Sequence, residues 1–107
     1  MVITTTSTLQ GKEIERYLGI VSGEAIMGAN VLRDFMASVT DIIGGRSGAY
    51  ENKLSEGREI AIREMVDKAR SLGANAVIGA DLDFETLREG MMICVATGTA
   101  VFVKDLR

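Results

Sequence analysis

The stretch NAVIGADLDFETLREGMMICVATGTAVFV, residues 75–103, decides the fold. Two runs rich in apolar and β-branched residues, 75–87 and 91–103, flank a short "REG" containing Gly90. That arrangement predicts a β-hairpin. Within the first run the pattern changes. "ANAVIGA" reads as a buried strand, and then Asp81, Asp83 and Glu85 fall at alternate positions. Successive strand residues point to opposite faces, so the three carboxylates share one face, with Leu82 and Phe84 on the other.

Working outward, the segment before this hairpin reads as a helix from about Glu51 to Leu72. Leu54, Ala61, Met65, Ala69 and Leu72 form its stripe. Gly73 is placed to cap it, after Lys68 and Arg70 in the last turn, where cations suit the helix dipole. Gly57 and Ile60 do not fit a simple amphipathic helix. Gly57 in a helix interior costs about 1 kcal/mol against Ala, and Ile60 lies away from Met65. The plain reading is tolerated irregularity. The sharper one is a second packing surface toward another element or another chain.

Further upstream, Asn30 is suited to cap a helix over 31–43, which Gly44 and Gly45 end. "VITTT" (2–6) reads as a short strand, "STLQGKEIER" (7–16) as a connection with room for one helical turn, and "YLGIVSGEAI" (17–26) as a strand. Gly19 and Gly23 either weaken that strand or mark a bulge. The expected order is β-β-α-α-β-β, an α+β domain spanning 1–107 with an antiparallel sheet and two helices on one face.

Composition limits the chemistry. The 107 residues form one domain, and a chain of this size buries roughly 65% of its unfolded surface. With 47% hydrophobic residues but only 5% aromatic, and no Trp, the core must be aliphatic. The net charge is −3, and the bases are scattered, which argues against nucleic acid or a polybasic membrane contact. There is no histidine, so the commonest general base and metal ligand are missing, and Cys94 alone excludes an intrachain disulfide. A lone thiol suits a reducing compartment. The N-terminus lacks a basic and an apolar signal region, and no apolar run is long enough to span a bilayer. A soluble cytoplasmic protein without cofactor is expected.

Three stretches carry candidate chemistry. The acidic row Asp81, Asp83, Glu85 reads as a hard-cation site or as the solvated face of a half-buried strand. Alternation alone favours the solvated face, because a cation site needs ligands converging from several segments. In "MMIC", Met92 and Cys94 share a strand face and are a soft donor pair suited to Cu(I), or ordinary core residues. In "GGRSGAYE", Arg46, Ser47 and Tyr50 beside flexible glycines and a helix start have the makings of an anion or ligand site, or simply a helix–helix turn. Asn75, just after the Gly73 cap, is expected to bond nearby main-chain groups.

Taken together, "SVTDIIGGRSGAYENKL" (38–54), "KARSLGANAVIGADLDFE" (68–85) and "GTAV" (98–101) closely resemble the YbjQ-like family of small bacterial proteins. The most specific parts are Gly45-Arg46-Ser47, Tyr50, Gly73-Ala74-Asn75-Ala76 and Gly98-Thr99-Ala100-Val101, and the likeness covers nearly the whole chain. The resemblance implies an α+β domain that assembles into a five-fold ring through extra short strands, and it carries a heavy-metal-binding label without a known function. Three functions therefore stand open. The first is a non-enzymatic homopentameric ring that binds a small ligand between subunits. The second is soft or divalent metal binding through Met92, Cys94 or the acidic face. The third is an enzyme with an interchain site at Arg46, Ser47 and Tyr50.

Overall fold

A computed structural model describes residues 1–28, 48–88 and 90–106, with the backbone alone over 48–51. Four strands and one helix lie in this part: β1 (Val2–Ile3), β2 (Lys12–Met27), α1 (Gly48–Ser71), β3 (Ala76–Arg88) and β4 (Met91–Asp105). The strands form one sheet in the order β1-β3-β4-β2. The domain is α+β, as the hairpin and helix patterns imply. The helix expected over 31–43 lies outside the described residues.

The hairpin of β3 and β4 is antiparallel, with Arg88 opposite Met91 and Ala76 opposite Val101. β2 pairs with β4 on its other side, also antiparallel. The sheet is not wholly antiparallel, however. β1 runs parallel to β3, with Val2 opposite Ala76 and Ile3 opposite Val77. The chain enters at the β3 edge and crosses over before β2 begins at the opposite edge. Beyond Ile3 it stays bonded to β3. The Thr4 N–H donates to the Val77 carbonyl, Ala80 N–H to Thr4 and Gly79 N–H to Thr6. These bonds span the irregularity between Ile78 and Asp81. The regular part of the "VITTT" strand is thus only Val2–Ile3.

β2 begins at Lys12, five residues before the expected start. Its first half is held by cross-strand partners rather than by a hydrophobic pattern. Lys12 pairs with Asp105, and Lys104 reaches Glu15 at 3.3 Å and Glu13 at 4.0 Å. Arg16 lies over the Phe102 ring, 5.1 Å from its centroid.

Two cores sit on opposite faces of the sheet. The larger lies under α1, where Val21, Ala25 and Met27 of β2 meet Ala61, Met65 and Ala69 of the helix, with Val77, Cys94, Ala96 and Ala100 beneath. The smaller lies at the β1 end, where Ala76, Ile78, Val101 and Val103 are covered by Leu9 and Ile14. Most buried positions are small, so α1 lies close on the sheet. At Gly98 an added Cβ would stand 2.5 Å from the Val77 side chain.

α1 ends as its sequence dictates. The Gly73 N–H donates to the Arg70 carbonyl and the Ala74 N–H to that of Ala69, with Gly73 at φ +89°. This is the paired-bond cap that needs a left-handed residue, which glycine supplies without steric cost. Gly57 faces Met27 of the same chain, so that part of the second packing surface is intramolecular. Ile60 stays 48% exposed.

Candidate functional site

The β registers place the sequence candidates on definite surfaces. Asp81, Asp83 and Glu85 stand opposite Thr97, Val95 and Ile93. On the other side of β4, the same three residues face Ser22, Glu24 and Ile26. This face bears no described helix. It carries Ile20 and Ile26 at 85% and 61% exposure beside the exposed acids.

The acids repel one another. A hydrogen bond with Asp81 and the Asp81 charge raise the pKa of Asp83, with slight desolvation and Glu85 adding to the push. A raised carboxyl pKa means that ionisation opposes folding, fully so at neutral pH. Asp83→Asn is therefore expected to raise Tm at pH 7. The gain should vanish below about pH 3, where both proteins lack that charge. An unchanged Tm at pH 7 would refute the repulsion. Among the described residues no group of three His, Cys, Asp or Glu is placed to hold a metal ion.

A hollow of about 300 Å³ opens on the α1 side of the β3 edge. Ile3 and Thr4 of the N-terminal segment, Ile62 and Met65 of α1, and Ala80 and Leu82 of β3 line it, with Asp81 and Thr5 at hand as polar groups. Its volume is at the small end for a ligand pocket. It begins where β1 leaves the β3 edge, and sequence reasoning missed it because it depends on the parallel pairing of β1.

Met92 and Cys94 both face α1. Cys94 is fully buried and Met92 half-buried. The register adds a third sulfur: Met27 of β2 stands directly opposite Met92, while Ala25 stands opposite Cys94. Burial pushes the Cys94 thiol pKa up, partly countered by the positive charge of Arg58.

Arg46, Ser47 and Gly45 lie outside the described residues, as does the side chain of Tyr50. Gly98 and Thr99 lie in β4, Gly98 against Val77 and Thr99 half-buried between Ile20 and Ile78. The Asn75 side chain bonds the main chain at Val103, 28 residues away in sequence, rather than within its own turn.

What these residues define is a small α+β domain with one described helix on a four-stranded mixed sheet. The chain belongs to the YbjQ-like family: the family model described as "Putative heavy-metal-binding" matches residues 1–104. It is 77% identical over 105 residues to a UPF0145 protein of Geobacillus kaustophilus, covering 98% of this chain and 100% of that one. A UPF0145 protein of Bacillus cereus is 60% identical over 101 residues, covering 94% of this chain and 98% of the relative. A crystal structure of a protein of unknown function of the DUF74 family, from Pediococcus pentosaceus, superimposes with a TM-score of 0.68. It covers 97% of this chain and 98% of its own, at 15% identity, a likeness of fold alone. Among the described residues no helix is long and apolar enough to cross a membrane.

Proposed function

We propose that the protein is a non-enzymatic, cytoplasmic binding module that works as a homo-oligomeric ring, five chains round, taking a small ligand between subunits. The observation that carries this reading is the pair of sheet edges left open among the described residues. Among the described residues no strand covers the outer edge of β2, and none covers that of β3 beyond the N-terminal segment. Open edges of this length invite pairing with another chain. The two edges differ, so a head-to-tail contact repeats by rotation and closes a ring, and the number five follows from the family resemblance. Ile20 and Ile26, exposed on the face that bears no described helix, and Ile60 on α1, supply apolar surface for such contacts. The hollow beside Ile3 and Leu82 lies at the β3 edge, where a neighbouring subunit would complete its wall. The absence of histidine from the whole sequence supports a binding role over acid–base catalysis.

Light scattering at low micromolar concentration tests the reading. The expected mass is five chains. Ile60→Glu should lower it, because an interface would have to bury an unpaired charge. A mass of one chain would sink the proposal, and a dimer would keep association but remove the ring.

A further inference from the structure

We propose that the hollow at the β3 edge takes a small lipophilic amine, its apolar body inside the hollow and its single ammonium group at the rim beside Asp81. The inference rests on the reading of the hollow as a ligand site, and it does not depend on the number of subunits. Three separate elements wall the hollow. Ile3 comes from the N-terminal segment, Ile62 and Met65 from α1, and Ala80 and Leu82 from β3. Main-chain bonds fix these walls before any ligand arrives. The Thr4 N–H donates to the Val77 carbonyl at 2.9 Å, and the Ala80 N–H donates to the Thr4 carbonyl at 2.9 Å. The Gly79 N–H donates to the Thr6 carbonyl at 2.8 Å. Gly79 lies within the irregularity between Ile78 and Asp81, at φ +61°, a backbone that glycine adopts without steric cost. A wall built in advance spares the ligand the cost of ordering it.

Size and lining choose the body. The hollow measures about 300 Å³. One water takes about 30 Å³ of liquid, so a body of about ten non-hydrogen atoms fits. The walls are aliphatic side chains and one thioether, with Met65 buried at the inner end, and they favour hydrocarbon. Charge chooses the head group. Among the described lining residues Asp81 alone is ionisable, and no Lys or Arg stands with it. Asp83 follows in the same acidic row, where a hydrogen bond with Asp81 and the Asp81 charge already push its pKa up. An ammonium group at the rim offsets this negative charge, whereas a carboxylate or phosphate would add to it. The Thr4 hydroxyl does not compete for the head group. It is bonded to Thr6 Oγ1 at 2.8 Å and accepts from the Thr6 N–H at 3.2 Å.

The test titrates the full chain with octylamine and with two controls of the same shape, octanol and octanoate. Calorimetry gives the affinities, and amide shifts in nuclear magnetic resonance place the contact. Expected is saturable binding of the amine, with shifts centred on Ile3, Ala80 and Leu82. The amine should bind about fivefold more tightly than the alcohol, the upper end for one ion pair at a wet surface. Octanoate should not saturate. High salt should shrink the preference, since it screens a charge at the rim. Asp81→Asn should bring amine and alcohol to equal affinity without weakening the alcohol, a result that loss of the fold would not give. Ala80→Phe, which fills the hollow, should abolish binding of both. Equal affinity of amine and alcohol for the wild-type chain would overturn the charge selection. No saturable binding of either, or shifts away from the hollow, would overturn the site. Light scattering on the same samples separates this inference from the ring. Amine binding by a single chain sinks the ring and supports the inference, whereas a five-chain ring indifferent to the amine sinks the inference alone.

Discussion

Gly23→Ala is expected to destabilise the domain by about 3 kcal/mol or more, the upper end for overpacking a core. A Cβ added at Gly23 would stand 1.9 Å from the Ala61 carbonyl oxygen and 2.6 Å from the Met65 nitrogen. Both atoms belong to the helix backbone, so no side-chain rotation relieves the clash. α1 must lift from the sheet instead. Lifting it loosens the contacts of Ala61, Met65 and Ala69 with Val21, Ala25 and Ala96 together, since all share the main core. Close packing transmits such a shift rather than absorbing it. Gly57→Ala is the matched control. Its added Cβ meets only the flexible end of Met27, at 3.1 Å from the sulfur. Alanine also favours the helix by about 1 kcal/mol. The control should be near neutral. Urea unfolding followed by circular dichroism compares the two, and a Gly23→Ala variant within 1 kcal/mol of wild type would contradict the geometry.

That contrast shows where the sequence was legible. Gly23 read as a weak spot in a strand and Gly57 as a weak spot in a helix. Each is explained by what packs on it, and packing partners are not a local property. The periodic parts were readable: the 51–72 helix, its Gly73 cap, and the 75–103 hairpin all follow from residue spacing. The first half of β2 was not, because Lys12, Glu13, Glu15 and Arg16 present no hydrophobic alternation. Their strand is held by charges on Lys104 and Asp105 and by the ring of Phe102, some 90 residues distant along the chain. The direction of β1 is a pairing choice that two residues cannot announce. The placing of the sulfur residues was half visible. Met92 and Cys94 share a face by their spacing, but Met27 stands opposite Met92 only through the register of β2 against β4. The hollow at the β3 edge depends likewise on where β1 lies. Arg46, Ser47 and Tyr50, prominent in the sequence, lie outside what the described side chains address.

Asn75→Ala is expected to cost about 2 kcal/mol, within the range for leaving buried polar groups unpaired. The Asn75 Nδ2–H donates to the Val103 carbonyl at 2.9 Å, and the Val103 N–H donates to Asn75 Oδ1 at 2.8 Å. The side-chain amide thus stands in for a peptide group. It extends the β3–β4 ladder past Ala76, while its own backbone N–H donates to the Val101 carbonyl at 3.1 Å. Removal leaves the Val103 N–H and C=O unsatisfied together beside the smaller core, where Val103 is buried. Asn75→Asp separates this role from mere packing. An ionised carboxylate still accepts from the Val103 N–H but turns a second oxygen toward the Val103 carbonyl, which has no proton to give. Folding therefore favours the protonated acid and raises its pKa. A raised carboxyl pKa gives stability that is present at low pH and lost as pH rises through the folded value. The deficit of Asn75→Asp against wild type should accordingly be largest at pH 7 and shrink below about pH 4, where the restored O–H again donates. The Asn75→Ala deficit should hold steady across the same range. Thermal unfolding of the three proteins from pH 3 to 7 decides the matter. An alanine variant within about 0.5 kcal/mol of wild type, less than one typical hydrogen bond, would remove the bridging role. An aspartate variant whose deficit ignores pH would show that the second bond, donor to carbonyl, does not contribute.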